Sequence, residues 1–198
     1  MKTHILLLAL LTSIIFSIDI SYIENELNWE VLQDSEIKIS YKEINNQPYC
    51  KASKIFNFKP TEIKNILDDK SNYPKYFKRI IFCDSINKDI VHIGVNLPFP
   101  FSPRDYVVEY QYFKNKNREY YIYESVIDTN EYKNKKFVRL PNASGIWLIE
   151  KIEDNKTKLT YLWQSELLGN IPNWVLPKAW KEQGNELLNQ IDLALKKR

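Results

Sequence analysis

Few residues in this chain are of types that do chemistry, and they lie far apart. Arg104 and Asp105 follow the proline-rich stretch LPFPFSP, and Tyr106, Val108 and Tyr110 come next at alternate positions. Adjacent opposite charges suit a site where charge is handled, so the pair is one candidate catalytic element. The structural alternative is stronger. A guanidinium offers five donors for tying carbonyls and carboxylates together at a strand start, and the prolines before it hold the backbone extended. The histidines are His4 and His92. With His4 in the N-terminal leader described below, a Ser-His-Asp triad would have to use His92, and a two-histidine iron site cannot be built. His92 is expected on a strand surface. Cys50 and Cys83 lack the second pair that a structural zinc site needs, and no glycine-rich phosphate loop is present. The sequence therefore points to no metal, no cofactor and no catalytic residue.

The elements that must position these residues can be read from hydrophobic period. A short helix or turn is expected around Trp29, then strands over 36–44 and 49–58 separated by the turn signal NNQP. Thr61 opens a helical stretch with Ile63, Ile66 and Leu67 on one face, which Pro74 divides into two short helices. From Ile80 the period becomes two, giving strands over 80–87, 90–96, 105–113, 120–128, 136–140, 145–152 and 158–167 with short polar linkers. Hairpins at this spacing describe one antiparallel sheet. Beyond GNIP the period returns to 3.6, and Trp180, Gly184, Leu187, Leu188, Ile191 and Leu195 form the stripe of a long C-terminal helix. Pro172 suits its start, and a break or kink is expected at Pro177. A curved sheet holding one long helix is an α+β fold, and it can leave a cavity between them.

At 198 residues and 14% aromatic content the chain suits one domain rather than a disordered segment. A formal charge of +3 with no basic stripe argues against nucleic acid. The start, MKTHILLLALLTSIIFS, places Lys2 before an apolar run from Ile5 to Phe16, with Ser17 as a possible cleavage point. The run is short for a membrane span, which needs about 20 residues. The expected division is a signal peptide over 1–17, a linker over 18–27 and a ligand-binding domain over 28–198. Export, periplasmic or secreted, follows from it, with an uncleaved anchor as the alternative. Export would permit Cys50 and Cys83 to pair, although buried free thiols are the ordinary outcome. In a eukaryotic secretory pathway Asn142 and Asn155 would be glycosylation sites.

Four stretches together resemble the START family of lipid-transfer domains: NWEVLQDSEIKIS, YPKYFKRIIFCDSI, PFPFSPRDYV, and TKLTYLWQSELLGNIPNWVLPKAWKEQGNELLNQI. The resemblance runs from about Trp29 to Ile191. It implies a helix-grip fold, a curved antiparallel sheet around the C-terminal helix with two short helices after the second strand. It also implies one lipid or other hydrophobic small molecule in an internal tunnel, no chemical step, and a monomer touching a membrane surface transiently.

By that resemblance Tyr106, Val108 and Tyr110 face the cavity, together with Val91, Ile93 and Val95; Tyr121, Tyr123 and Ser125; and Leu159, Tyr161 and Trp163. Plain core is the alternative for each. From the C-terminal region Trp174, Val175, Trp180 and Leu187 are candidates for the gate or cavity wall. The loop 128–136 corresponds to the family's gate, where Lys133, Lys135 and Lys136 around Tyr132 could meet anionic head groups, and a solvated loop is the alternative. Sterol-binding members carry a charged pair at positions that correspond here to Val91 and Tyr110, so the ligand could equally be a fatty acid, an isoprenoid or a phospholipid. Helix-grip polyketide cyclases and aromatases supply the enzymatic alternative, with Tyr110, Tyr123 and Tyr161 as acids or bases. A partner-binding module with a filled core is the third reading.

Overall fold

Residues rich in β-branched and aromatic side chains build nearly every strand here, as expected of a pleated, half-buried surface. The computed structural model describes residues 18–24, 27–98, 101–126, 132, 136–164 and 175–197. The chain runs α1 (Ile20–Glu24), β1 (Glu30–Asp34), β2 (Ile37–Ile44), β3 (Gln47–Phe56), α2 (Pro60–Asp68), α3 (Tyr73–Tyr76), β4 (Ile80–Ser85), β5 (Ile90–Val95), β6 (Arg104–Asn115), β7 (Arg118–Ser125), β8 (Val138–Arg139), β9 (Ser144–Glu153), β10 (Lys156–Gln164) and α4 (Leu176–Lys196). The strands form a single sheet in the order β1-β2-β3-β10-β9-β7-β6-β5-β4, with antiparallel neighbours. The short β8 is added parallel to β6, pairing Arg104 with Val138 and Asp105 with Arg139.

Local chemistry accounts for the connections. Asn45 and Asn46 both take positive φ, at 52° and 60°, which makes the β2–β3 turn the mirror-image type that matches strand twist. Pro60 and Pro74 lie in the first turns of α2 and α3, where a missing N–H costs nothing. Pro177 does the same in α4, so the break expected there is instead the start of the helix. Cys50 and Cys83 are free and buried, on β3 and β4 with β10, β9, β7, β6 and β5 between them.

The sheet carries apolar residues on both faces. Its inner face meets α2, α3 and the apolar stripe of α4, in a core that includes Ile39, Phe56, Ile66, Ile93, Leu159, Leu188 and Ile191. Gly184 lets α4 approach the sheet closely, since a Cβ there would stand 3.0 Å from Ile39 and 3.1 Å from Ala52. On the outer face Tyr49, Tyr120, Ile122, Ile146, Leu148 and Leu162 form a second cluster with Ile18 and Ile23.

Three expectations are corrected. The segment around Trp29 leads directly into a strand, β1, so the two helices follow the third strand rather than the second. The stretch 18–24, expected within a linker, is packed: Ile18 and Ile23 are buried, and the Ile18 N–H donates to Glu124 Oε1 at 2.8 Å. The strand expected over 136–140 shrinks to two residues. The leader 1–17 lies outside the described residues.

Candidate functional site

The inner face of the sheet is built by alternate residues of β5, β6, β7, β9 and β10, because side chains two apart on a strand share a face. Ile93 stands opposite Tyr106, Tyr110 opposite Tyr123, and Trp147 opposite Tyr161. Two adjoining chambers lie between this face and α4. The inner one, of about 80 Å³, is bordered among others by Tyr73, Phe77, Ile93, Tyr110, Trp147 and Leu187. The outer one, of about 330 Å³, reaches Leu97, Phe101, Arg104, Leu140, Trp163 and Val175. Arg79, Val95, Tyr106, Tyr123, Tyr161 and Gln183 border both. The outer volume is at the lower end of the roughly 300–1,000 Å³ typical of small-molecule sites.

Aromatic rings define the wall. Tyr161 stacks between Trp147 at 3.8 Å and Trp163 at 4.9 Å, centroid to centroid, and Tyr123 lies 5.3 Å from Tyr110. The hydroxyls of Tyr123 and Tyr161 are hydrogen-bonded to each other. Gly145 of β9 makes this contact possible: a Cβ there would stand 2.5 Å from the end of the Tyr123 ring, so the missing side chain lets that ring lean across the strand. Tyr73 donates to the Leu67 carbonyl at 2.8 Å, with the Tyr110 hydroxyl beside it. Burial pushes the phenols of Tyr73, Tyr106, Tyr110, Tyr123 and Tyr161 well above the usual tyrosine value, so all are neutral donors at physiological pH.

Charge sits towards the edge of the site. Arg79, which precedes β4, is paired with Glu186 of α4, and Gln190 donates to the other oxygen of Glu186 at 3.1 Å. Arg104 is buried beside the outer chamber and donates from Nη1 to the Ser102 carbonyl at 2.6 Å, a tie at the strand start. Its neighbour Asp105 points to the opposite face. That carboxylate, 1% exposed, accepts from Arg139 at 2.7 and 3.0 Å and lies 2.8 Å from His92 Nε2. Burial opposes its ionisation, but the hydrogen bonds from Arg139 and then His92 outweigh it and hold the carboxyl below its usual range. Arg104 and Asp105 therefore serve separate faces of the sheet.

Of the residues expected at the cavity, the structure brings Ile93, Val95, Tyr106, Tyr110, Tyr123, Tyr161, Trp163 and Leu187 to the chambers. It places Val91, Val108, Tyr121 and Trp180 in filled core instead. The reasons are local. Tyr121 donates to Asp68 and accepts from Lys64, both at 2.7 Å, which fixes it against α2. Trp180 stacks on Tyr41 at 4.6 Å. Val91 and Val108 pair with each other on neighbouring strands and are covered. Leu159 is wholly buried core, and Ser125 bonds to the Ala143 carbonyl at 3.1 Å.

Among the gate candidates, Tyr132 lies near His92, at 6.1 Å between rings, and its carbonyl accepts from Arg139 at 2.8 Å, so it belongs to the outer-face cluster. Lys136 is exposed; Lys133, Lys135 and Trp174 lie outside the described residues. His92 is where the sequence puts it, away from the Val91 face, although it is mostly covered rather than a free surface residue.

Sequence reasoning missed Tyr73, Phe77, Arg79, Trp147, Gln183 and Glu186. Among the described residues no group of His, Cys, Asp and Glu is placed to hold a metal ion. A wider groove of about 720 Å³ between Lys59, Lys114 and Lys151 is polar, and pairs such as Lys114–Glu119 and Lys151–Asp154 neutralise part of its charge.

The sequence matches the family model of the START domain over residues 23–194. A search of curated proteins found no significant match. Among solved structures, a STAR-related lipid transfer protein from Xanthomonas axonopodis superposes with a TM-score of 0.74 at 19% identity, covering 85% of this chain and 98% of that one. Human STARD10 gives 0.78 at 17% identity, covering 89% and 76%. The Zhui aromatase/cyclase from Streptomyces sp. R1128 gives 0.56 at 11% identity, covering 76% and 94%.

Proposed function

Because this chain belongs to the START domain family, we propose that its ligand-binding role is to hold one apolar molecule of single-chain or compact shape between the inner face and α4. The observation that carries this reading is the pair of adjoining chambers walled by Tyr106, Tyr123, Trp147, Tyr161 and Trp163. Removing a tail from water there yields about 25 cal/mol per Å² of apolar surface. Chambers of about 330 and 80 Å³ lie at or below the bottom of the roughly 300–1,000 Å³ range of small-molecule sites, so a single-chain or compact ligand is preferred over a two-chain phospholipid. Exchange requires α4 to part from the sheet, a motion of the kind that limits release in many closed sites.

Binding without a chemical step is also part of the proposal. The aromatase/cyclase likeness favours a second reading with Tyr110, Tyr123 and Tyr161 as acids and bases. General acid–base work is efficient when the group's pKa lies near the working pH. Burial moves these phenols the other way. The apolar run behind Lys2 supports export with cleavage near Ser17, which N-terminal sequencing of the processed protein would check.

Native mass spectrometry of the purified protein, followed by organic extraction, tests the main reading. One bound apolar molecule per chain is expected. Absence of any copurifying ligand, together with no uptake of labelled fatty acid, sterol or phospholipid, would reject it.

A further inference from the structure

The chambers display donors that the protein itself does not use. Tyr123 and Tyr161 share one hydrogen bond, and two hydroxyls carry two protons, so one proton of the pair remains to be given. Tyr106 borders both chambers. The indole N–H of Trp163, a residue 3% exposed, has no acceptor among the described residues. Tyr106 is close enough to Tyr123 and Tyr161 that their charges would perturb one another. A buried polar group left unmatched is costly, so a cluster of idle donors in an aromatic wall signals an acceptor that arrives with the ligand.

The charge on that acceptor follows from its surroundings. The phenols are neutral, and no lysine borders the inner chamber. The one arginine beside both chambers, Arg79, is already paired with Glu186. At the outer chamber Arg104 is tied to the Ser102 carbonyl and Lys178 lies 4.0 Å from Glu182, so a carboxylate or phosphate drawn to the tyrosines would be desolvated among cations already engaged, which is far more expensive than burying a neutral oxygen.

Accordingly, we propose that the ligand carries an uncharged oxygen acceptor, a carbonyl or hydroxyl, and that the Tyr123–Tyr161 pair with Tyr106 receives it, Gly145 acting as the positioning residue that lets Tyr123 reach. This rests on the reading of the chambers as an apolar-ligand site and goes further by naming the head group.

The test is calorimetric titration of the full chain at neutral pH with dodecane, dodecanol, methyl decyl ketone and dodecanoate. The alcohol or the ketone is expected to bind about tenfold tighter than dodecane, the scale of one or two net hydrogen bonds, and tighter than dodecanoate. In the Tyr123→Phe, Tyr161→Phe double variant that ratio falls most of the way towards one. Tyr106→Phe reduces the ratio in part. Gly145→Ala, which removes no hydroxyl, also lowers it by displacing the Tyr123 ring.

If dodecanoate binds tightest, or if all four bind alike, or if the double variant keeps the wild-type ratio, the head-group proposal falls and apolar binding stands. If none of the four binds, both fall. Circular dichroism shows which variants remain folded, and Tyr106→Phe, a single loss of one oxygen, keeps the test decisive if Gly145→Ala does not fold.

Discussion

Asp105 is the residue whose role changes most between sequence and structure. Beside Arg104 it reads as half of an ion pair, yet its carboxylate lies on the outer face and fastens Arg139 of β8 and His92 of β5 to β6. Removing one member of a buried pair leaves the partner uncompensated and costs about 3–5 kcal/mol. Arg139 is 17% exposed and keeps some solvent, so Asp105→Asn is expected to cost about 3 kcal/mol at pH 7 on that scale. The pH dependence follows from the direction of the shift. A carboxyl held below its unfolded value of about 3.9 adds stability that is present above that pH and is lost as pH falls through the folded value. Urea unfolding of both proteins at pH 7 and at pH 3 checks this. The gap between them should narrow at the acid pH, and a gap that stays constant would remove Asp105 from the account of acid stability.

Elements differ in how openly their sequences announce them. α4 shows a clean period because it buries one face, and alternation along their strands groups Tyr106, Tyr123, Tyr161 and Trp163 with the faces that the family resemblance assigns to the cavity. Residues 144–149 at the start of β9 are buried on both faces, so the run holding Trp147 has no visible period and its inward residue was missed. β1 is an edge strand with Val31 66% exposed, and it lacks any apolar alternation to reveal it. Arg79, Gln183 and Glu186 were missed because polar residues carry no inward signal; only tertiary contacts such as the Arg79–Glu186 pair turn them towards the chambers. Elsewhere along α4, close packing on β2 and β3 depends on Gly184. Gly184→Leu would force about four extra carbons between α4 and the Ile39–Ala52 surface, and overpacking of this kind costs typically 1–3 kcal/mol. A loss of about 2 kcal/mol corresponds to roughly 4–8 °C in a domain of this size. Thermal unfolding measures it, and an unchanged midpoint would mean that α4 is free to move outward at that contact.

At the scale of the molecule, the sheet has two apolar faces and must cover both. The inner one has three helices, whereas the outer one is met at the chain's beginning. Ile18 and Ile23 are 3% and 2% exposed against Tyr120, Ile122, Ile146 and Leu148, and Tyr22 meets Tyr49 edge-on at 5.7 Å. Each isoleucine buried this fully contributes about 1.5–3 kcal/mol, an upper figure because unfolded chains already hide some surface. A chain beginning at Leu27 would lose both, along with the bond from Ile18 to Glu124 and the pairing of Glu24 with Arg118 and Tyr120. About 4 kcal/mol is therefore at stake, or roughly 8–16 °C of melting temperature. The uncovered face would also present a contiguous apolar patch of the kind that drives association. Comparing chains that begin at Ile18 and at Leu27 by thermal unfolding and size-exclusion chromatography separates these effects. The shorter chain should melt lower and elute in part as larger species, and Ile23→Asp in the longer chain should reproduce part of both changes. Equal melting temperatures and a single monomer peak for the two chains would show that the outer face is stable without this segment, and that the packing of residues 18–24 is a consequence of the fold rather than one of its supports.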